Sequence, residues 1–135
     1  MINGYCISKD KSRLQIESIK TLLKQTYWAC ERTEETIVKS IENSVCYGVF
    51  DSDNNQVGFA RVITDYATAY YLCDVIINKE NRGQGLGKLM VEFITRDDDL
   101  KDLHGLLLTK NAHGLYEKYG FKRNAEKFMH KIAVL

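Results

Sequence analysis

One short segment constrains the fold of this chain more than any other: an apolar run at residues 71–77 is closely followed by a glycine-rich stretch at 82–88. The apolar run predicts a buried strand. Gly83, Gly85 and Gly87, at alternate positions, predict a tight turn that opens a helix. Glycine allows a ligand to approach the backbone closely, and the first turn of a helix offers unpaired N–H groups at the positive end of its dipole. The segment therefore predicts a phosphate or pyrophosphate site.

Spacing separates the motifs that bind phosphate on such a turn. A P-loop needs a glycine five positions before its Gly-Lys pair and Ser or Thr after the lysine, but this chain has Arg82 and Leu89 at those positions. The Gly-x-Gly-x-x-Gly dinucleotide fingerprint also fails, because Lys88 occupies the place of the third glycine. Both nucleotide-binding interpretations are therefore disfavoured.

The pattern Arg82-x-x-Gly85-x-Gly87 instead resembles the pyrophosphate-binding loop of the GNAT family, the Gcn5-related N-acetyltransferases. Residues 115–121, Leu-Tyr-Glu-Lys-Tyr-Gly-Phe, resemble the short helix and turn that follow in that family. The two motifs occur in the family's order. The resemblance implies one α/β domain of GNAT type over residues 1–135, with a central mixed, twisted β-sheet flanked by helices.

Hydrophobic periodicity predicts elements in the order β-α-α-β-β-β-α-β-α-β, which is the order of the GNAT fold. Strands are expected at residues 2–8, 45–50, 56–64, 69–78, 106–108 and 129–134. Helices are expected at residues 14–27, 33–43 and 86–94, and a last one follows Asn111, which is a candidate for its N-cap. Residues 97–99, three consecutive aspartates, are expected to form a solvated loop.

Composition argues against several classes of partner. The chain has 19 basic and 18 acidic side chains, so its net charge of +1 favours neither nucleic acid nor an anionic membrane. Its four cysteines form no Cys-x-x-Cys pair, and reduced core thiols are expected rather than a metal or redox site. Because no apolar leader or membrane-length run is present, we expect a cytoplasmic protein. GNAT relatives are often dimers, so a homodimer is also considered.

The resemblance implies acetyl-CoA as co-substrate. Backbone N–H groups of the glycine-rich loop would hold its pyrophosphate, and the central strand would pair with the pantetheine arm as with an added strand. Where the family usually has an asparagine this chain has Thr109, so Asn111 either replaces that contact or only caps the helix. The cofactor-binding residues expected on this basis are Val75, Ile76, Ile77, Arg82, Gly83, Gln84, Gly85, Leu86, Gly87, Lys88, Asn111 and Tyr116.

Two side chains are the candidates for catalysis. Tyr116 occupies the family's usual general-acid position, although its apolar helical face also fits a core aromatic residue. Asp74 lies in an apolar strand, where burial would raise its pKa and suit a general base, but a structural carboxylate bonded to the backbone is an equal alternative. Asp65 is a weaker candidate, and no base is needed if the amine arrives already neutral.

The resemblance places the acceptor site around the central strand and the segment between the first two helices. Aromatic walls and one arginine would suit a small amine that also carries a carboxylate, because guanidinium pairs with carboxylate; ordinary surface aromatics are the alternative. The candidate substrate-binding residues are Trp28, Arg32, Tyr66, Tyr70 and Tyr71. We therefore predict an N-acetyltransferase acting on a small primary amine by direct attack in a ternary complex, without a metal. The alternative is a non-catalytic acyl-CoA sensor or interaction module.

Overall fold

The computed structural model describes residues 2–133. Within that part, one mixed sheet is flanked by helices, as the sequence predicts. Its strands are β1 (Cys6–Ser8), β2 (Val45–Phe50), β3 (Gln56–Thr64), β4 (Ala69–Ile77) and β5 (His104–Leu107). The α-helices are α1 (Ile16–Lys24), α2 (Glu34–Glu42), α3 (Leu86–Thr95) and α4 (His113–Glu117).

The strands follow one another across the sheet in chain order. Neighbours from β1 to β4 are antiparallel, and β5 lies parallel to β4. A parallel neighbour requires a crossover connection, and α3 provides it. The sheet therefore changes from antiparallel to parallel at β4.

The helices divide the apolar core between the two faces of the sheet. On one face α1 and α2 pack against β2 and β3 through Ile19, Leu23, Ile37 and Phe59, and these side chains are almost fully buried. On the other face, α3 and α4 cover β2, β3 and β4 with a larger cluster that includes Leu86, Met90, Ile94 and Tyr116. The central strand β4 is thus covered by different helices on its two faces.

Several predicted boundaries are wrong for local reasons. The first strand is limited to β1 because Asn3 and Gly4 adopt positive φ values of 53° and 85° and form a turn. The helix predicted at 14–27 is shorter, since α1 begins at Ile16 and ends at Lys24. Asn111 is not the cap of α4; Ala112 is.

The last predicted strand, residues 129–134, is not formed in the part of it that the structure describes. Residues 129–133 have no regular secondary structure, and the side chains of Met129 and Ile132 are exposed. Val134 lies outside the described residues. A strand pattern alone does not fix a strand, because it also needs a neighbour to pair with.

The acidic loop after α3 is only partly solvated. Asp98 is exposed, but Asp97 is nearly buried and accepts hydrogen bonds from the Tyr47 hydroxyl at 2.7 Å and the Lys9 ammonium at 2.9 Å. Burial works to raise the pKa of Asp97, but these two hydrogen bonds hold it below its usual value. Asp97 therefore links β2 and the end of α3.

None of the helices that the structure describes between residues 2 and 133 is long and apolar enough to cross a bilayer.

Candidate functional site

The central strand β4 is paired on both edges only in its first half. Its neighbour β5 pairs with residues 69–72 and then ends, while β3 continues to pair with Ile76 and Ile77. Among the described residues, the backbone of residues 73–77 therefore has no strand partner on the β5 side. Unpaired N–H and C=O groups on such an edge can pair with an extended ligand.

A β-bulge between β3 and β4 lies just beyond the last residue of β4 that pairs with β5. The register between β3 and β4 shifts between Phe59 and Arg61, and Asp74 takes a φ of 57°. Asp and Asn tolerate this left-handed conformation better than most residues. The bulge re-aims the side chain of Asp74, as bulges commonly do beside functional sites.

The glycine-rich loop continues from the open end of β4. Gly83 and Gly85 have φ values of 83° and 78°, where other residues are strained, and Gly85 is the N-cap of α3. The Arg82 side chain folds back and donates from Nε to the Ile77 carbonyl at 3.0 Å, so it braces the loop. The first N–H groups of α3 are left without partners in the helix. The loop presents these groups at the positive end of the helix dipole.

The loop, the open edge of β4 and α4 enclose one groove of about 430 Å³. A Cβ at Gly83, Gly85 or Gly87, which all line this groove, would have no heavy atom of residues 2–133 within 4 Å, so these positions are open. The residues that line it are Val75, Ile76, Ile77, Asn81, Arg82, Gly83, Gly85, Leu86, Gly87, Ala112, Leu115 and Tyr116.

Tyr116 is fixed in the wall of this groove. Its helix begins where the Thr109 hydroxyl accepts from the Ala112 N–H at 3.0 Å, and its ring packs edge-on against Phe121. Tyr116 is 9% exposed, and burial raises the pKa of its hydroxyl to about 12. No hydrogen bond to this hydroxyl is formed by residues 2–133. Tyr116 therefore presents a protonated O–H donor that is available to a ligand.

On the α1/α2 face, four side chains form a charged cluster around the bulge: Trp28, Arg32, Arg61 and Asp74. Asp74 Oδ1 accepts from Trp28 Nε1 at 2.9 Å. Asp74 Oδ2 accepts from Arg32 Nη1 at 2.7 Å and from Arg61 Nε at 2.8 Å. The carboxylate is 2% exposed, so this cluster ties the α1–α2 loop to β3 and β4.

The expectation that burial would raise the pKa of Asp74 is wrong. Burial alone does act in that direction, but the hydrogen bonds and positive charges of Arg32 and Arg61 outweigh it and hold the pKa below its ordinary value. Asp74 is therefore a carboxylate at neutral pH with its oxygens occupied. That state suits an ion-pair partner better than a proton acceptor.

The remaining candidates for substrate binding and for the base lie on β4 and in the β3–β4 turn. Tyr71 lies on β4 near the charged cluster, whereas Tyr70 is buried on the opposite face of the sheet against Phe121 and is not brought together with the other acceptor-site candidates. Tyr66 is exposed in the β3–β4 turn. In the same turn, Asp65 has a lowered pKa because it accepts hydrogen bonds from Thr68 and Ala67, which is a structural role.

Three of the predicted cofactor-binding residues do not line the groove. Gln84 accepts from the Tyr5 hydroxyl at 3.2 Å and donates to the Asn81 carbonyl, so its side chain braces the outside of the loop. The Lys88 side chain approaches Lys118, whose pKa it lowers through a side-chain contact and like charge. Asn111 lies in the loop between β5 and α4 and is also outside the groove lining.

Arg61 is the residue that the sequence analysis missed. It is the single charged residue of β3, and Asp74 is the single charged residue of β4 beside it. Opposite charges in neighbouring buried strands commonly pair, since an unpaired buried charge is costly. The two opposite charges in adjacent strands were therefore the sequence feature from which the pairing of Arg61 with Asp74 could have been predicted.

Comparisons of sequence and fold relate this chain to known proteins. A family model described as "Acetyltransferase (GNAT) domain" matches residues 42–123. A crystal structure of a Xanthomonas campestris protein assigned to the GNAT family is similar over 98% of this chain and 96% of that one, with a TM-score of 0.90 and 37% identity. A GNAT family acetyltransferase from Elizabethkingia anophelis, solved with acetyl-CoA bound, shares the fold with a TM-score of 0.67 at 17% identity, over 89% of this chain and 77% of that one.

Curated relatives are similar in sequence but longer. A Gibberella zeae protein named as an acetyltransferase is 29% identical over 109 residues, which are 67% of this chain and 62% of that protein. The chain spans 50% to 62% of the length of the two curated relatives that it matches.

Proposed function

Because the chain belongs to the GNAT family of acetyltransferases, we propose that it transfers the acetyl group of acetyl-CoA to a primary amine. The observation that carries the proposal is the groove, in which an open strand edge, a glycine-rich helix start and a protonated tyrosine face one space. The reaction is a direct transfer in a ternary complex. The acceptor is a small molecule.

The residues of the groove fit acetyl-CoA. The open backbone of Val75 and Ile77 suits an extended amide-bearing arm, because it offers the hydrogen bonds of a missing strand. The loop N–H groups suit a pyrophosphate, and the missing Cβ atoms of Gly85 and Gly87 leave room for it. When bound, acetyl-CoA supplies an activated thioester.

Tyr116 acts on the departing sulfur as a hydrogen-bond donor. With a pKa of about 12 for Tyr116, complete proton transfer to a thiolate of pKa near 8.5 is uphill by about 5 kcal/mol. A hydrogen bond that strengthens as negative charge develops avoids most of this cost. The raised pKa also keeps the donor protonated across the working pH range.

The chain offers no base of suitable pKa beside the groove among residues 2–133. Asp74 is occupied by Trp28 and two arginines, and burial raises the pKa of the Cys73 thiol to about 11, so neither is a reactive base or nucleophile near pH 7. We therefore propose that the neutral form of the amine binds and attacks. The rate should then rise with pH until the amine itself is deprotonated.

Thiol release from acetyl-CoA in the presence of a panel of primary amines tests the proposal, with the Tyr116→Phe variant beside the wild type. We expect amine-dependent release, and a kcat that falls roughly a hundredfold in Tyr116→Phe. Affinity for acetyl-CoA and thermal stability should stay almost unchanged, because the hydroxyl has no protein partner among residues 2–133.

The control is Tyr119→Phe, which changes a tyrosine of the same segment that does not line the groove. Equal loss of activity in both variants would contradict a specific role for Tyr116. Binding of acetyl-CoA without thiol release for any amine would favour a non-catalytic acyl-CoA-binding module.

A further inference from the structure

The charged cluster carries more positive than negative charge. Arg32 and Arg61 share the single carboxylate of Asp74, and neither forms another salt bridge within residues 2–133. The cluster is therefore left with one net positive charge. Its arginine side chains are only 21% and 12% exposed, so water compensates this charge less than it would on an open surface.

The hydrogen-bonding capacity of the arginines is also incompletely used. Each guanidinium has five N–H donors. Towards residues 2–133, however, Arg32 donates only from Nη1, and Arg61 only from Nε and from Nη1, the latter to the Ser44 hydroxyl at 3.1 Å. Both arginines meet the same oxygen of Asp74, so neither forms the paired contact that guanidinium makes with a carboxylate. Every fully buried side-chain nitrogen in residues 2–133 has a partner, so the unused nitrogens are open to solvent.

The position of the cluster in the chain relates it to the groove. Asp74 directly precedes Val75, the first groove residue on β4, and both follow the point at which β5 stops pairing with β4. Tyr27 packs against the cluster, since its ring meets that of Trp28 edge-on with the ring centres 5.0 Å apart. A further cation, Lys110, lies 5.5 Å from the centre of the Tyr27 ring.

One acid competes for this positive charge. Glu31 is next to Arg32 in the chain, but it is exposed and forms no ion pair with any residue from 2 to 133. Its interaction with the cluster is therefore screened by water. The unsatisfied charge remains available for a ligand.

We propose that Arg32 and Arg61 form a subsite for a carboxylate on the amine acceptor, an inference that rests on the proposed function. The acceptor class is then a small amino acid or another aminocarboxylate. A carboxylate matches the one net positive charge of the cluster, whereas a phosphate monoester would bring about two negative charges. Arg32 makes the main contact, because it is the more exposed of the two arginines.

The first test compares matched acceptors on the wild-type protein. Glycine and β-alanine are each assayed beside their primary carboxamides, which have nearly the same shape but no negative charge. The amine of the amide is less basic and so more often neutral, which by itself favours the amide. We nevertheless expect kcat/KM to be roughly tenfold to a hundredfold higher for at least one of the acids.

The second test changes Arg32. In Arg32→Gln the ratio of kcat/KM for acid over amide should fall to unity or below, because only the basicity of the amines then distinguishes them, while the KM for acetyl-CoA stays constant. Arg32→Lys should keep part of the preference for the acid, because lysine retains the positive charge but lacks the planar guanidinium. The matched control is Arg96→Gln, which alters an exposed arginine paired with Glu92 at the end of α3. This variant should behave like the wild type.

A binding measurement separates this proposal from the proposed function. Trp28 is the only tryptophan of the chain, and its indole N–H is bonded to Asp74. Fluorescence excited at a wavelength that tyrosine does not absorb comes from Trp28 alone, and it therefore reports on the charged cluster. Adding β-alanine should change this fluorescence in the wild type and in Arg96→Gln, but not in Arg32→Gln, whereas β-alaninamide should have little effect.

The outcomes are distinct. Turnover that does not distinguish acids from amides, with no effect of Arg32→Gln on their ratio, overturns the carboxylate subsite and leaves acetyl transfer intact. A fluorescence response to β-alanine without turnover of any amine supports the subsite and overturns the transferase. A preference for phosphoethanolamine over both acids overturns the assignment to a carboxylate.

Discussion

The groove and the charged cluster both involve the second half of β4, but the groove is formed mainly by backbone atoms and the cluster by charged and aromatic side chains. The groove is formed by the backbone of residues 75–77, by glycines and by one helix start, all within a short stretch of chain, and Tyr116 completes it. The cluster is formed by four side chains from three distant segments, joined by hydrogen bonds of 2.7–2.9 Å. The groove is therefore sensitive to added atoms, and the cluster to removed charges.

This difference corresponds to two kinds of ligand recognition beside β4, one by backbone groups and one by side chains. A backbone surface recognises an extended ligand with little regard to side-chain identity, which suits a constant co-substrate. Charged side chains held in fixed positions distinguish one ligand from another, which suits a specific acceptor. Substitutions on the two sides of β4 should consequently differ in which property they change.

The largest expected effect comes from Asp74→Asn, which keeps the shape and the left-handed backbone but removes the charge. Two half-buried arginines would then lack their counter-ion, so we expect the free energy of unfolding to fall by roughly 3 kcal/mol. Denaturant unfolding measures this change. A loss below about 0.5 kcal/mol would contradict the view that the cluster ties the α1–α2 loop to the sheet.

The pH dependence of stability gives an independent check on Asp74. Its pKa is lowered on folding, so its contribution is present above the unfolded pKa of about 3.8 and is lost as the pH falls through the lower folded value. The difference in stability between wild type and Asp74→Asn should accordingly be constant near neutral pH and shrink below about pH 4. A difference that persists unchanged in acid would show that charge is not its source.

A smaller effect is expected from Gly87→Ala on the groove side. Gly87 is the second residue of α3, has ordinary helical backbone and has open space around it, so alanine should stabilise the fold by about 0.5–1 kcal/mol. Because Gly87 lines the groove, the added methyl group should also weaken acetyl-CoA binding, by roughly tenfold. Stability and affinity would thus change in opposite directions.

The matched control for this variant is Gly114→Ala. Gly114 is likewise the second residue of a helix, and an added Cβ there would have no heavy atom from the described part of the chain within 4 Å, but Gly114 does not line the groove. The substitution should raise stability and leave acetyl-CoA affinity unchanged. Equal affinities in both alanine variants would contradict the assigned position of the ligand.

The smallest expected effect concerns the support of Tyr116. Thr109→Ala removes the hydroxyl that accepts from the Ala112 N–H at the start of α4. We expect a loss of about 1 kcal/mol in unfolding free energy and a modest reduction of kcat, because the tyrosine is held less rigidly. Thermal unfolding and thiol release measure the two effects, and an unchanged stability would mean that this hydrogen bond does not support the helix.

The same comparison explains what could be predicted from the sequence. The order of the elements and the glycine-rich turn followed from local patterns, because the glycines of residues 83–87 and the apolar run of β4 are close together in the sequence. The roles expected for Val75, Ile77 and Tyr116 came from the resemblance to the GNAT family. The charged cluster did not follow from local patterns, because the partners of Asp74 are 13, 42 and 46 residues away, and apolar neighbours in sequence suggested a raised pKa. Tyr70 and Tyr71 show the same limit: adjacent residues of a strand face opposite sides, and only the packing decides which side is the core.

Calorimetric titration with acetyl-CoA tests the central claim most directly, with ATP and NAD as controls for a general nucleotide site. We predict that acetyl-CoA binds in the micromolar range and that ATP and NAD do not, with weaker binding in Gly87→Ala and unchanged binding in Gly114→Ala. No binding of acetyl-CoA, or equal binding of all three ligands, would contradict the assignment of the groove.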